Sequence, residues 1–282
     1  MSQDWYYYNH SILSRTYPHQ EPDLSPINDG SIWKIEGGRR ALLARWTTDF
    51  DCKEETGFWY IIKDDEFDIN ALKAKRRYEI NKGNKNFEVR VVVPSEYSEE
   101  IYKVYTESLK GYSTTIKPMD KRKFETIIMA WSKKECIFFA AFCKQTGEMC
   151  GYADVWDRER YLPISSLKTK PHSERNGVNF ALVYAIIQHF ASRLAEGCYL
   201  CDGARNVLHQ TNFQDFLIKY FGFRKAYCHL NILYKPFMRF AVKVLMPLKK
   251  LIGKLKNEKA KMVYSILQME SWKYKKKVKE QK

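Results

Sequence analysis

The chain has 282 residues, of which 45% are hydrophobic and 29% charged, and its formal net charge at pH 7 is +15. This hydrophobic fraction excludes a mainly disordered chain and is sufficient for two compact lobes or one large domain. Apolar runs such as Phe180–Ile187 are too short to span a bilayer, and the amino end has no signal-peptide pattern, which predicts a cytoplasmic protein.

The positive charge is concentrated at the carboxyl end. Fourteen Lys and Arg and three Glu lie in Pro236–Lys282, which leaves a net charge of only +4 for the rest of the chain. A protein that binds nucleic acid over its whole surface would distribute its basic residues more widely. The charge therefore indicates a function of the tail rather than of the entire chain.

The seven cysteines are spread through apolar strand patterns, which is typical of reduced thiols rather than of a disulfide framework. Cys198 and Cys201 form a Cys-x-x-Cys pair, but side chains three residues apart on a strand face opposite sides. No second pair lies near them in the sequence, so we predict no metal site.

The first 93 residues predict a small α/β lobe. Residues 1–30 contain turn formers and three prolines, and we expect them to follow the surface. Strands are predicted at Ala41–Trp46, Gly57–Lys63 and Phe87–Val93, and a helix at Ile69–Asn81 with Asp68 as its cap and Gly83 beyond its end.

Residues 94–235 predict a larger α/β unit with a mixed sheet flanked by helices, followed by a basic helical tail at residues 236–282. Two helices are predicted first, Glu99–Leu109 capped by Ser98 and Lys121–Lys133 capped by Asp120. The later elements are strands at Cys136–Cys143, Met149–Trp156 and Tyr161–Leu167, a helix at Val178–Leu194, a strand at Tyr199–Asp202, a short helix at Asn212–Tyr220 and a strand at Phe223–Tyr234.

Two local signatures occur within this order of elements. A glycine-containing loop, Pro171–Asn179, opens the long helix, where unpaired backbone amides can bind an anion, and the later short helix stops at Gly222-Phe223. With these signatures, the segment Pro94–Tyr234 resembles the GNAT acyltransferase fold. The resemblance implies acyl transfer from a thioester to an amine, largely by positioning of the donor.

The amino lobe carries a second likeness. The basic helix and following strand from Lys73 to Val89 are similar to the first lobe of Fem-type proteins, two-lobed GNAT relatives that attach amino acids or acyl groups to cell-envelope precursors. This resemblance implies aminoacyl-tRNA as the donor. This chain is shorter than a full Fem-type chain, so the likeness is to a shortened relative. Arg76 and Arg77 would then bind RNA phosphates or the diphosphate of the acceptor, and a solvated helix face is the alternative.

The GNAT donor loop usually has Gln or Arg three residues before the glycine and a small residue two after it. Aligned on Gly177, this chain has Glu174 and Asn179 there, which disfavours ordinary coenzyme A binding; a tight strand-to-helix turn is the alternative role for the glycine. We place the phosphates of the donor, acyl coenzyme A or aminoacyl-tRNA, at Leu167, Lys170, Arg175, Asn176, Gly177, Val178, Asn179 and Asn212.

The resemblance locates the catalytic acid and base less clearly than it locates the donor-binding loop. The strand before the loop lacks the Glu that often serves as the base, and Asp154 and Asp202 are the candidate replacements, with a turn or cap role as the alternative. The Tyr that often serves as the acid falls on Ile218, and His209 is a conceivable substitute.

Apolar residues of the tail recur at helical spacing between Phe237 and Leu255, with Lys and Arg between them and a break expected at Pro247. Such a helix either lies on an anionic membrane surface or packs its apolar face on the protein's own core.

These patterns together predict a GNAT-type acyl or aminoacyl transferase of Fem-like character. We expect it to modify an amine of a small-molecule or lipid-linked precursor of the envelope or of a surface polysaccharide, at the inner membrane face. An acetyl coenzyme A dependent N-acetyltransferase and a non-catalytic binding module on the GNAT scaffold are the alternatives.

Overall fold

The computed structural model describes residues 4–111, 117–132, 135–207, 212–255 and 257–274. Their strands are β1 (Trp5–Tyr8), β2 (Ser11–Ser14), β3 (Leu43–Thr48), β4 (Phe58–Lys63), β5 (Phe87–Val92), β6 (Cys136–Cys143), β7 (Met149–Trp156), β8 (Tyr161–Thr169), β9 (Tyr199–Ala204) and β10 (Arg224–Tyr234). Their α-helices are α1 (Ser25–Asn28), α2 (Ala74–Asn86), α3 (Ser98–Ser108), α4 (Lys121–Trp131), α5 (Pro171–Glu174), α6 (Val178–His189), α7 (Ala191–Ala195), α8 (Phe213–Phe221), α9 (Pro236–Leu245), α10 (Lys249–Ile252) and α11 (Glu258–Trp272).

The chain forms two compact units. Unit 1 comprises Met1–Ile61, Ala204–Asn212 and Lys225–Lys282, and unit 2 comprises Ile62–Gly203 and Phe213–Arg224. The strands of unit 1 follow the order β1-β2-β3-β10-β4, and those of unit 2 the order β9-β8-β7-β6-β5. Unit 1 joins segments distant in sequence because β10 pairs antiparallel with β3. The domain boundaries at residues 93/94 and 235/236 stay a prediction.

Unit 1 begins with a hairpin that the sequence analysis did not predict. Strands β1 and β2 pair antiparallel through a turn at Asn9 and His10, both with positive φ, and β2 then pairs parallel with β3. Two positive φ angles are typical of a type I′ turn, which usually contains glycine. Because neither residue is glycine, the turn has no clear sequence signal, and the expectation of a surface-following segment was wrong for residues 5–14.

The core of unit 1 lies between its sheet and the helices after β10. Leu230 and Ile232 of β10 pack with Val242 of α9 and with Leu267 of α11. The main-chain amide of Tyr274, just after α11, donates to Leu230 O at 2.8 Å. The carboxyl-terminal helices are therefore part of the folded unit.

Unit 2 buries both faces of its sheet because β6 and β7 have apolar residues in consecutive positions. Phe138 and Tyr152 face helices α3 and α4. The next residue along β6, Phe139, contacts His189 and Phe190 at the end of α6, with ring centroids 5.2 and 6.4 Å apart. Odd-numbered residues of these strands therefore face α6 and even-numbered residues face α3 and α4. Met149 is an exception, because a register shift between β6 and β7 places it in the cluster with α3 and α4.

Helix α2 differs from its prediction. Asp68 caps only a 3₁₀ turn at Ile69–Ala71, by accepting a bond from the Asn70 amide at 2.8 Å, and the α-helix runs from Ala74 past Gly83 to Asn86. A Cβ on Gly83 would lie 2.5 Å from Gly177 O. Gly83 is thus a point of close backbone contact with α6 rather than a helix terminator.

Most other predicted elements of unit 2 lie within a few residues of their predicted bounds. The predicted helix Val178–Leu194 is instead divided at Phe190 into α6 and α7. Asp120 caps α4 as expected, accepting a bond from the Lys123 amide at 3.2 Å. Ser98 is the first residue of α3 rather than its cap, and Tyr97 in the cap position makes no side-chain capping bond.

Replacement of Gly83 by alanine tests the contact between α2 and α6. In an open helix this substitution stabilises by about 1 kcal/mol. Here the added methyl would overlap Gly177 O, and we expect a loss of about 1–3 kcal/mol in the free energy of unfolding, measured by urea denaturation.

Gly111→Ala is the matched control, because its Cβ would meet only the Pro171 ring, at an ordinary 3.6 Å. An increase in stability for Gly83→Ala would contradict the close contact.

Candidate functional site

Strands β8 and β9 pair over only three residues each. Tyr161–Pro163 lie opposite Tyr199–Cys201 in parallel register, and in the described part of the chain no later residue of either strand pairs with the other. Near this point, a Cβ built on Gly203 would meet no atom within 4 Å. Ligands of α/β sheets bind at the carboxyl ends of parallel strands that part in this way, so we examine this gap as the candidate active site.

Strand β8 has a bulge at Ser165 beside this gap. Asp154 of β7 lies opposite Ser166, whereas Val155 lies opposite Ile164, so Ser165 is the extra residue. A bulge takes one residue out of the hydrogen-bond ladder and changes the direction of its neighbours. Ser165 is exposed, and its side chain bonds to Asp154.

Asp202 follows Cys201, the last residue of β9 that pairs with β8. Its carboxyl group is partly buried and bonds to the Gln214 side chain of α8. Burial raises the pKa of Asp202 to about 7, although the bond to Gln214 acts in the opposite direction. Near neutral pH this carboxyl is therefore present in both protonation states, as a general acid or base requires.

Asp154 has a different environment. Its side chain is fully buried and accepts bonds from the Ser166 hydroxyl and, at 3.2 Å, from Trp156 Nε1. Burial raises its pKa despite these bonds. As an even-numbered residue of β7 it shares the face of Tyr152, which packs on α3 and α4.

The two predicted acids lie on opposite faces of the sheet of unit 2. The partner of Asp202 is on α8, and this helix packs on α6, since the Phe180 ring lies 4.8 Å from that of Phe216 and 4.9 Å from that of Tyr220. Asp154 is on the other face. The structure therefore does not bring them together, and only Asp202 lies at the gap between β8 and β9.

The turn at Gly177 is covered by α2. Gly177 has φ of 90°, and a Cβ there would lie 2.9 Å from Gly83 Cα. Lys82 Nζ donates to Arg175 O at 2.7 Å, and Asn86 Nδ2 donates to Asn176 O at 2.9 Å.

The amides of this turn also have partners within it. The Asn176 amide donates to Ser173 O and the Gly177 amide to Glu174 O, both at 3.0 Å. The segment predicted as an open loop instead begins with the short helix α5. Among the described residues, the amides of Asn176 and Gly177 are therefore not the unpaired donors that the sequence predicted, because carbonyl groups of the turn accept their hydrogen bonds, while α2 binds carbonyl groups of the same turn.

Lys170 also forms ion pairs with carboxylates of the protein. Its side chain is 1% exposed, and Nζ lies 2.5 Å from Glu148 Oε1 and 3.9 Å from Glu107 Oε1. The bond from Lys170 is the main reason that the pKa of Glu148 is lowered. A donor phosphate would have to compete with these carboxylates for Lys170, whose side chain is buried although that of Glu148 is 43% exposed.

The remaining predicted donor residues differ in their exposure to solvent. Val178 is buried at the start of α6, Asn179 and Leu167 are half-buried, and Arg175, Asn176 and Asn212 are exposed. Their role in donor binding stays a prediction.

Arg76 and Arg77 are half-buried on α2, and Arg77 Nη1 donates to Asn70 O at 3.2 Å. His209 lies outside the described residues. The nearest tyrosine to the missing acid, Tyr220, packs its ring on Phe180, as its place on the far side of α8 from Ile218 predicts.

Two residues of the site were missed by sequence reasoning. Ser165 becomes important only through the bulge, which depends on the register of β7 against β8. Gln214 becomes important only because α8 lies over the end of β9. The pattern Ser165-Ser166 inside an apolar strand is the one signal that could have indicated an irregular, polar position.

One group of three possible metal ligands occurs among the described residues, at Glu148, Cys150 and His172. Because Lys170 already pairs with Glu148, this group has a structural explanation and we assign no metal to it.

No family model and no curated protein matches the chain. Solved structures do. The C-terminal domain of a proposed lysylphosphatidylglycerol synthetase from Agrobacterium fabrum is 14% identical with a TM-score of 0.54, covering 86% of this chain and 84% of that one. L-PGS from Bacillus licheniformis is 13% identical with a TM-score of 0.51, covering 96% and 85%, and FemX is 9% identical with a TM-score of 0.54, covering 86% and 83%.

The chain has a GNAT-like fold of the Fem type. At these identities the likeness shows the fold alone, and it confirms the predicted fold class and the resemblance on which it was based.

The raised pKa of Asp202 predicts a pH dependence of stability. Between about pH 4 and pH 7 the folded protein keeps a proton that the unfolded carboxyl has lost, so stability falls as the pH rises, by on the order of 4 kcal/mol at most. Asp202→Asn should remove this decline, measured by urea denaturation at intervals from pH 4 to pH 8.

Asp215→Asn, at an exposed position of α8, is the control and should keep the slope of the parent. Equal slopes for parent and Asp202→Asn would contradict the assigned pKa.

Proposed function

We propose that this protein is an acyl or aminoacyl transferase of Fem-like character that modifies an amine of a cell-envelope or surface-polysaccharide precursor. The observation that carries the proposal is Asp202, a partly buried carboxyl with a pKa of about 7 where β8 and β9 part. An ammonium group must lose a proton before it attacks an acyl carbon, and a carboxylate near neutrality in pKa is suited to accept it.

The same gap offers groups for the acyl oxygen. Negative charge develops on this oxygen as the amine attacks, and main-chain amides are common donors to it. The bulge at Ser165 takes one residue out of the ladder between β7 and β8, which supports this stretch of β8 as the place where the donor carbonyl is bound.

The covered turn at Gly177 supports aminoacyl-tRNA over acyl coenzyme A as the donor. A coenzyme A pyrophosphate needs the amides of such a turn, whereas here Gly83, Lys82 and Asn86 of α2 occupy its surroundings. One protein with a similar fold is named for the synthesis of lysylphosphatidylglycerol, an aminoacylated phospholipid, which also supports aminoacyl transfer. Arg76 and Arg77 are then candidate contacts for tRNA phosphates.

The tail supports action at a membrane face. Six apolar residues of the tail are 45–71% exposed: Phe237, Phe240, Val244, Leu248, Leu251 and Leu255. The first three lie on one side of α9 by their helical spacing. A second set that includes Val242 packs on the core of unit 1. Some apolar residues of the tail therefore pack on the protein's own core, and others are exposed and available for membrane binding.

Basic residues flank this exposed apolar stripe, among them Lys243, Lys250 and Lys254. Such a combination is typical of helices that lie in the interface of anionic membranes. Within the described ranges, no helix has the length and apolar character needed to cross a bilayer. We propose peripheral attachment to an anionic surface at the cytoplasmic face.

Transfer of a labelled amino acid from a pool of charged tRNA to a lipid or precursor fraction tests the proposed reaction. We expect transfer by the parent protein and a loss of at least a hundredfold in Asp202→Asn, because the base is removed. Asp215→Asn should retain the parent rate.

Titration calorimetry with acetyl coenzyme A provides the competing test. Binding of acetyl coenzyme A, together with acetyl transfer and no transfer from tRNA, would replace the proposal with the N-acetyltransferase alternative. Salt-dependent RNA binding without any transfer would favour the non-catalytic module.

Attachment through the tail is tested by replacing Phe240 and Leu251 with serine. Both side chains are exposed, so folding should be unaffected, while binding to vesicles of phosphatidylcholine and phosphatidylserine should fall by at least tenfold in a flotation assay. Val91→Ser, an exposed apolar position of β5, serves as the control. Full binding by the double variant would refute the role of the stripe.

A further inference from the structure

Strand β5 forms one edge of the sheet of unit 2. It pairs antiparallel with β6 from Phe87 to Val92, and no other strand of the described chain pairs with it. A free edge presents main-chain N–H and C=O groups to which a further strand can bind. The outer side of β5 is therefore a candidate interaction surface.

The hydrogen bonds at the start of this pairing show which main-chain groups of β5 point outward. Asn86 O accepts a bond from the Lys144 amide at 2.9 Å, so the carbonyl of residue 86 faces β6. Successive residues of an antiparallel strand point their main-chain groups alternately to the two sides. The groups of Phe87, Val89 and Val91 therefore point away from β6.

The exposed apolar residues of unit 2 lie on β5 and on the elements next to it. In the described part of this unit, the large hydrophobic side chains that are 48–64% exposed are Tyr78, Val91, Val93 and Met129. Val91 is in β5, Val93 follows it, and α2 with Tyr78 leads directly into it. The end of α4, which carries Met129, is bonded to the turn after β5, since the Ser95 amide donates to Ser132 Oγ at 3.1 Å. Exposed apolar side chains around one strand are typical of a protein interaction site.

The charges of β5 are complementary in one register of two antiparallel copies. The outward groups of the two copies can meet with a two-fold axis at residue 88, 89 or 90. An axis at 88 or at 90 places Glu88 opposite Glu88 or Arg90 opposite Arg90, and like charges destabilise paired strands. An axis at Val89 places Glu88 of each copy opposite Arg90 of the other. Charged residues usually discourage pairing at an edge, whereas in this register they favour it.

The register centred at Val89 also suits the apolar face of the strand. Val89 then lies opposite its own copy and Phe87 lies opposite Val91, on the face away from the two charges. The Phe87 amide is already used, because it donates to Gly83 O at the end of α2. The other outward groups pair from the Val89 amide to Val89 O and from the Val91 amide to Phe87 O, each in both directions. Main-chain bonds, apolar contacts and charges therefore agree on one register.

We infer that two copies of this chain associate through β5, antiparallel and with the two-fold axis at Val89. The dimer extends the sheet of unit 2 across the interface and covers the exposed valines. The partner is a second copy rather than another protein because the charge pattern of β5 is complementary to itself. This interface uses no residue of the proposed active site or of the tail.

Two charge-reversing variants of the full chain, Glu88→Arg and Arg90→Glu, test this interface. Within one copy, Arg90 Nη2 lies 2.8 Å from Glu88 Oε2, and the two side chains are 49% and 54% exposed, so this bridge contributes little to folding. Sedimentation velocity from about 1 to 100 µM follows the monomer–dimer equilibrium. We expect a concentration-dependent dimer for the parent. Each variant should have a dissociation constant higher by about tenfold or more, because like charges then lie opposite each other.

A mixture of the two variants provides the decisive comparison. In a mixed pair the two substituted side chains lie opposite each other with opposite signs, and so do the two unchanged ones. The mixture should therefore dimerise as tightly as the parent, although neither variant does so alone. A misfolded variant could not restore the dimer. Glu196→Arg is the matched control, because Glu196 is also exposed and lies 4.0 Å from an arginine of the same chain, Arg193, and it should dimerise as the parent.

A parent that stays monomeric over the whole concentration range would overturn the interface. Dimers that either single variant leaves unchanged would also overturn it, because a different surface would then hold the two copies together. Two monomeric variants whose mixture stays monomeric would exclude the register centred at Val89 and with it the inferred dimer.

Discussion

The backbone contact between Gly83 and Gly177 is the constraint that determines the surroundings of the turn before α6. Two glycines allow α2 to lie directly on the start of α6, with a separation that no side chain would permit. The contact also places Lys82 and Asn86 on the carbonyl groups of Arg175 and Asn176. A turn that resembles an anion-binding loop in sequence is thereby converted into a packing surface.

The proposed reaction is therefore assigned to the gap between β8 and β9 rather than to that turn. This gap combines a strand bulge at Ser165 with a carboxyl of unusual pKa at Asp202. Neither feature depends on the amides of the Gly177 turn. The site is therefore consistent with a donor that is held by contacts other than a pyrophosphate loop.

Much of the architecture could be predicted from the sequence because it depends on local patterns. The bounds of β6 and β7 were predicted correctly from their apolar runs and the hairpin turn between them, and Pro247 ends the regular helix near the expected position. These features need only the period of hydrophobic residues and the restrictions of proline.

The site was less predictable because it depends on contacts between distant segments. The sequence predicts Gly83 as a helix terminator, whereas in the structure it contacts the start of α6. The sequence predicts Lys170 as a phosphate ligand, whereas in the structure it pairs with Glu148. Asp154 and Asp202 were equivalent in sequence, and only the faces of the sheet distinguish them.

The environment of Asp202 has a consequence for the absent tyrosine at Ile218. In the proposed reaction, this carboxyl with a pKa of about 7 takes a proton from the incoming nucleophile and returns it to the departing oxygen or sulfur in the same catalytic cycle. One amphoteric side chain then performs the work usually divided between two. In a transferase built this way, the position of a dedicated acid is free to hold an aliphatic residue.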